Sequence, residues 1–336
     1  MRQLVSIPVV LVSLAIGLPL APVIFAVSAL ADILRRRSAL PTVRLVSLLY
    51  QLAVLEFVSI VVAGVLWVGF GFGLALRSAA SLRVHGRFQW WLLGQVVGAA
   101  RRGAHLQYDI EERATPRPGP LVVLSRHASY ADSVLPAWFL GTTHRMNLRY
   151  VLADELAWLP TFGIHGRRLP NVFVNRRATD HDGELRRIRA LGADLGANDA
   201  VVIFPEGQFP TPARRERAVA RIATTSPEFA ARAEGLRHVL PPHPAGTLAL
   251  LDAAGTADIM VVAHVGLELF ASVAGVARNL PLARPSRVTM WRIPASEIPV
   301  GDEMRTEWLW QQWERLDAWI DQVTGNTTPT RAASAE

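Results

Sequence analysis

His127 and Asp132 stand five positions apart, directly after the apolar run 121–124. Five residues do not bring two side chains to one face of a regular helix. They meet if His127 lies in the turn before a helix and Asp132 points back from its first turns. The carboxylate then holds the imidazole in one tautomer and stabilises it once protonated. Such a pair is a general base for a hydroxyl. Taken alone the spacing is common, and a buried histidine satisfied by a neighbour fits it equally well. Two further strand ends carry polar groups. Val201-Val202-Ile203-Phe204-Pro205-Glu206-Gly207 ends an apolar run in a carboxylate, whose burial costs free energy without partners. Gly207 beside it permits close backbone approach to a ligand. Asn171-Val172-Phe173-Val174-Asn175-Arg176-Arg177 ends another run in cations suited to phosphate.

These groups need a scaffold, and the pattern from residue 105 onward supplies one. Strands are expected at 106–110, 121–125, 148–152, 172–175, 200–204, 259–264 and 287–293, and helices at 129–140, 183–195 and 247–254. Several of the strands are near-continuous apolar runs, as in sheets covered on both faces. The expected fold is α/β, a central mostly parallel or mixed sheet flanked by helices. Side chains at the carboxyl ends of such strands are common site positions. The arginine- and alanine-rich segment 211–240 reads as a helical insertion over the site. Leu309, Trp313, Leu316 and Ile320, spaced four, three and four, make one apolar helical face.

The front of the chain is different. No charged residue occurs from 4 to 30, and Glu56 is the one charge from 45 to 76. Each stretch exceeds the ~20 residues that cross a bilayer core. Residues 1–76 are therefore expected to form a membrane-embedded two-helix hairpin. A signal peptide is the competing reading of the first stretch, but the run is far longer than an h-region of about 7–15 residues. Arg35, Arg36, Arg37 and Arg44 lie between the two stretches, while Arg77, Arg83, Arg87, Arg101 and Arg102 follow the second. Both flanks thus carry the cytoplasmic charge signature. Pro8, Pro19 and Pro22 offer a bend that would make the hairpin shallow or re-entrant, with loop and domain on one side. Glu56 is expected at the membrane interface. Phe88, Trp90 and Trp91 among arginines suit the headgroup level, or the packing of a helix onto the domain. The expected organisation is hairpin 1–76, interfacial linker helix 77–104, α/β domain 105–324 and disordered tail 325–336.

Composition closes several classes. The 336 residues are 51% apolar, with 35 basic against 28 acidic residues and a mean hydropathy of +0.24. There is no cysteine, hence no disulfide, thiol nucleophile or cysteine-held metal. Every basic residue is arginine, which excludes Schiff-base, lysine-base and P-loop chemistry. The histidines form no zinc pattern such as His-Glu-x-x-His. A pI near 10.9 raises nucleic acid as a partner, but the cations are scattered and two apolar segments lead the chain. Anionic lipid is the simpler partner, and no nucleic-acid binding is expected.

The three motifs together resemble the glycerophospholipid acyltransferases, typified by 1-acylglycerol-3-phosphate acyltransferase. His127 and Asp132 match the family's His-x4-Asp, with Ser129 where the family often has serine. Phe173-Val174-Asn175-Arg176 matches its second motif, and Phe204-Pro205-Glu206-Gly207 its third in full. Ile259-Met260-Val261-Val262-Ala263 corresponds loosely to the fourth. His238-Val239-Leu240-Pro241-Pro242 with Gly246 is similar to the lysocardiolipin acyltransferase-like subgroup. The chain departs from the pattern at Arg126, where asparagine is usual, and at Gln208-Phe209, where Thr-Arg is common. It also lacks the proline of the fourth motif and has His264 nearby, read as a core or rim histidine.

The resemblance implies acyl transfer from a thioester, acyl-CoA or acyl carrier protein, to a lysophospholipid hydroxyl. His127 and Asp132 are then the catalytic pair. Arg176, Glu206, Gly207, Phe204, Pro205, Arg126 and Ser129 are then the substrate-binding set, with Arg176 on phosphate. No cofactor or metal is implied, the thioester being a co-substrate. The implied location is the cell membrane, with the catalytic domain on the cytoplasmic side. Two other readings compete: an acyl-enzyme on Ser129, for which no Gly-x-Ser-x-Gly elbow is present, and an inert membrane-anchored binding protein of the same fold.

Overall fold

The apolar runs of the second half pair into one sheet. The computed structural model describes residues 2–112, 114–175 and 180–325. Among them the strands are β1 Tyr108–Glu112, β2 Leu121–Ser125, β3 Asn147–Ala153, β4 Val172–Val174, β5 Asp199–Ile203, β6 Asp258–Val265 and β7 Ser286–Ile293. They lie in the order β1-β7-β6-β2-β5-β3-β4. β6, β2, β5, β3 and β4 run parallel, while β7 pairs antiparallel with β6 and carries β1 alongside it. The expected mixed α/β sheet is therefore present, and the carboxyl ends of β2, β5 and β6 share one edge.

Both faces of the central strands are buried. Val122, Leu124, Val201, Ile203, Ile259 and Val261 face helices α5 His181–Gly192, α8 Pro244–Ala254 and α10 Asp302–Gly325. Trp313 and Leu316 of α10 are fully buried there, as their helical spacing predicts. Leu121, Val123, Val202, Met260 and Val262 face the other layer. That layer is α3 Ala79–Ala104 and a helical run from Tyr130 to Thr143. The run was expected as one helix. It is instead a 3-10 turn Tyr130–Ser133, a short α4 Val134–Pro136 and a π-helical stretch Ala137–Thr143. Pro136 has no N–H to give, so a regular ladder cannot continue through it. The insertion is helical, with α6 Pro212–Thr225 and α7 Ala230–Gly235, and α9 Val273–Asn279 precedes β7. Thr211 caps α6 through the amide of Arg214, and Pro212 follows at its first position.

The two apolar segments are α1 Arg2–Leu34 and α2 Pro41–Gly69. Pro8, Pro19 and Pro22 do not bend α1 back, for it runs as one helix through all three. The Tyr50 hydroxyl donates to the Gly17 carbonyl (2.7 Å), bracing the proline-weakened middle. The connecting turn closes on Asp32, which is fully buried and accepts from the amide (2.9 Å) and hydroxyl (2.7 Å) of Thr42.

α2 lies lengthwise on the domain. Leu45, Leu48 and Leu52 pack with Phe270, Val276 and Leu280. Further along, Glu56 accepts the Thr161 amide (2.9 Å), and the Ser59 carbonyl accepts from His165 Nε2 (2.9 Å). The Ala63 carbonyl accepts from Arg168 (3.0 Å). At ~1.5 Å per residue this contact runs about 27 Å along the helix. Glu56 thus has its partner from the domain. At the start of α1, Arg2 pairs with Asp154 (2.6 Å) and Gln3 donates to the Ala157 carbonyl (2.6 Å). The outward faces of both helices expose Val9, Ile16, Val23, Val27, Val61 and Val65.

Candidate active site

β2 ends at Ser125, and the next residues turn out of the sheet to place His127 at its carboxyl edge. Ser129 then starts the helical run. Its hydroxyl accepts the Ala131 amide (3.1 Å) and donates to Asp132 Oδ1 (2.8 Å). Asp132 answers by accepting the amides of Ala128 and Ser129 (the latter at 2.5 Å) on Oδ2. This reciprocal cap satisfies helix-start donors and turns the carboxylate back toward His127. His127 Nδ1 lies 3.4 Å from Asp132 Oδ2, with the imidazole 14% exposed and the carboxylate fully buried. The sequence spacing is thereby explained, because the cap rather than a helical face brings the two together.

The His127 ring sits between Phe204 (centroids 4.7 Å) and Phe209 (5.5 Å, edge-on), with Tyr130 against Phe209. With Nδ1 turned to Asp132, Nε2 is the nitrogen left for a substrate. Burial alone would raise the Asp132 carboxyl. The imidazole of His264, the contact with His127 and the Ser129 amide outweigh it and hold its pKa below the ordinary carboxylate range. An ionised Asp132 favours the protonated imidazole that proton abstraction would create.

Glu206 stands on a turn after β5, closed by the Gly207 amide donating to the Phe204 carbonyl (2.9 Å). Gly207 has φ +65°, a conformation that disfavours side chains, and the Pro205 carbonyl accepts from His243 N (2.8 Å). Glu206 is fully buried and gives both oxygens to backbone: the His127 amide (2.7 Å) and the Leu240 amide (2.9 Å). It ties the backbone of His127 to the end of the insertion.

Arg126 is buried and held by Glu268, by the His264 carbonyl and by the His238 carbonyl (3.1 Å). Its amide extends the β2–β6 ladder by donating to the Val262 carbonyl (3.0 Å). It also lines a cavity of about 1140 Å³ with Thr211, Val219, Ala223, Val265 and Ile320. Ser129 is fully buried inside the cap. Arg176 and Arg177 lie outside the described residues, as does the tail from 326.

Residues 107–260 match the protein family described as Acyltransferase. Over 223 residues the chain is 25% identical to 1-acyl-sn-glycerol-3-phosphate acyltransferase epsilon of Mus musculus, covering 63% of this chain and 60% of that protein. Over residues 107–260, a little under half its length, the chain is similar to the acyltransferases. An uncharacterized acyltransferase of Schizosaccharomyces pombe is 24% identical over 214 residues, 61% of each chain. The chain thus spans about 60% of the length of these relatives. The crystal structure of the 1-acyl-sn-glycerophosphate acyltransferase of Thermotoga maritima aligns with a TM-score of 0.43 and 14% identity. That alignment covers 73% of this chain and 80% of that one.

Two features of the site escaped the sequence. His264, at the end of β6, is fully buried with Nε2 3.5 Å from Asp132 Oδ1 and 3.3 Å from the Arg126 carbonyl. One carboxylate thus faces two imidazoles. No spacing rule finds this, because β6 reaches β2 only through sheet pairing. Burial lowers the pKa of His264 against the pull of Asp132. The second feature is the backbone role of Glu206. Burial pushes its pKa up to about 8, against its two amide donors and Arg126. Folding therefore takes up a proton at this site. Its contribution is full below the unfolded value near 4.5 and is lost as pH rises through about 8. Between those values stability is expected to fall by up to ~1.4 kcal/mol per pH unit from this group. Glu206→Gln should start lower, since its amide faces a backbone N–H, but should lack that slope. Thermal unfolding of both proteins across pH 5–8 is the measurement, and parallel curves would contradict it.

Proposed function

We infer that this protein is a membrane-bound acyltransferase that moves a fatty acyl group from a thioester to the free hydroxyl of a lysophospholipid. The observation that carries this reading is the imidazole of His127 held against a buried carboxylate at the mouth of the sheet edge. His127 Nε2 takes the hydroxyl proton as that oxygen attacks the thioester carbonyl. The resulting tetrahedral oxyanion collapses with cleavage of the carbon–sulfur bond. The imidazolium returns its proton to the leaving thiolate. Asp132 orients the ring and stabilises its charged form. The relatives' names support a glycerol-phosphate acceptor. Lysophosphatidic acid giving phosphatidic acid is one such reaction, and Gln208-Phe209 in place of the family's common Thr-Arg, whose arginine is missing here, leaves lysocardiolipin or another lysophospholipid as the alternative acceptor.

The lengthwise packing of α2 favours the shallow arrangement of the hairpin. A helix flanked by the domain over ~27 Å cannot cross a bilayer while that domain stays outside. The exposed apolar faces of α1 and α2 then enter one leaflet, and the lipid acceptor reaches the base without leaving the membrane. The arginine-rich flanks support a domain on the cytoplasmic side.

An acyl-enzyme on Ser129 is disfavoured by its burial and by its hydroxyl donating to Asp132. Ser129→Ala should cost about 1 kcal/mol of stability through the lost cap while acyl transfer continues within tenfold of wild type. Complete loss of turnover in a folded Ser129→Ala protein would restore the serine route. The decisive test of function is purified protein in detergent, given labelled acyl-CoA or acyl carrier protein and a panel of lysophospholipids. Acylated product with one donor supports the reading and identifies the acceptor. Silence with both donors across the panel would replace it with the inert binding protein.

A further inference from the structure

Away from His127, helix α3 and the turn after the π-helical stretch enclose a second cleft. It has a volume of about 500 Å³ and is lined by Arg87, Trp90, Trp91, Gly94, Gln95, Thr142 and Arg145. None of the seven is acidic. Among the described residues neither Arg87 nor Arg145 has a carboxylate partner, although eleven other arginines do. Two unneutralised guanidiniums in one concave site fit a phosphate, whose oxygens accept from planar forks.

The cleft is also held in shape. Trp90 Nε1 donates to the Met146 carbonyl (3.0 Å), and the Thr142 hydroxyl donates to the Trp90 carbonyl (2.8 Å). Arg145 takes a left-handed conformation (φ +56°) that sets its guanidinium over the Trp90 ring, 5.5 Å from the centroid. Trp91 is 46% exposed and stacks on Phe88. A rigid indole floor beneath paired cations, with a second indole at the rim, suits a ligand that is anionic at one end and apolar at the other. α3 packs on α2 and itself exposes Trp91 at the rim of the cleft, an indole suited to the headgroup level of a membrane.

We propose that the Arg87–Arg145 cleft binds the phosphate of an anionic phospholipid headgroup as a site separate from the catalytic one. The test uses the full chain and vesicles of phosphatidylcholine alone or mixed with phosphatidylglycerol. Wild type should partition preferentially onto the mixed vesicles. Arg87→Gln/Arg145→Gln should lose that preference by about fivefold per arginine, with phosphatidylcholine binding unchanged. Arg77→Gln/Arg83→Gln, which alters arginines outside the cleft by the same charge, should keep most of the preference. An equal loss in both double variants would overturn the proposal in favour of diffuse surface charge. Unchanged partitioning of the cleft variant would overturn it outright. Inorganic phosphate, compared with chloride at matched ionic strength, separates the two sources of the ligand. Abolition of the preference by phosphate alone would reassign the cleft to free phosphate and overturn the lipid assignment. Persistence of the preference supports the headgroup.

Discussion

His127→Ala is expected to lower kcat by about 10³-fold or more, with a smaller change in KM. The substitution removes the nitrogen proposed to take the substrate proton. It leaves the local scaffold intact, because the bond from residue 127 to Glu206 uses the backbone amide. The ring is packed on Phe204 and Phe209 but is partly exposed, so its loss should shift the melting temperature by only a few degrees. The discriminating measurement is therefore kcat in a variant whose melt is near wild type. Turnover within tenfold of wild type would remove His127 as the base.

Asp132→Asn should be nearly as severe for catalysis and worse for stability. Every group facing this carboxylate is a donor or an imidazole: the Ala128 and Ser129 amides and His127 on Oδ2, the Ser129 hydroxyl and His264 on Oδ1. An amide NH₂ at the Oδ2 position meets two backbone donors in a fully buried site, at a cost of about 1–3 kcal/mol, and at the Oδ1 position it makes the Ser129 hydroxyl turn from donor to acceptor. It also removes the charge that stabilises an imidazolium, for which a loss of about 10⁴ in kcat is expected of a His–Asp pair. The wild-type carboxyl also shapes the acid limb of stability. Its lowered pKa contributes stability above the unfolded value, and that contribution is lost as pH falls through the folded one. Acid unfolding of Asp132→Asn should be shallower than that of wild type. A folded Asp132→Asn protein with kcat within tenfold of wild type would show that the contact is structural alone.

The sheet was legible because its strands are buried on both faces and so read as apolar runs. All seven expected strands occur, with ends moved by one or two residues. The helical run after Ser129 was less legible. Its cap and Pro136 impose 3-10 and π geometry that periodicity does not encode. His127 and Asp132 were visible as a pair, and the cap explains their spacing. His264 was visible only as a residue type, because its place beside Asp132 depends on which strands become neighbours. Glu206 was recognisable as a motif residue, while its two backbone partners lie 79 and 34 positions away in the chain. The Thr161 amide that Glu56 accepts, 105 positions away, was likewise not visible in the sequence.

That same contact bears on how the protein can be dissected. The seam from Glu56 to Ala63 closes hydrogen-bonding groups of Thr161, His165 and Arg168, and the start of α1 closes those of Asp154 and Ala157. Cutting away residues 2–69 to obtain a water-soluble catalytic fragment would strip partners from a segment that leads into β4. It would also uncover the Phe270–Leu280 apolar patch. The two leading helices are thus a wall of the fold, and the fragment that is easiest to express is the one with least reason to stay folded.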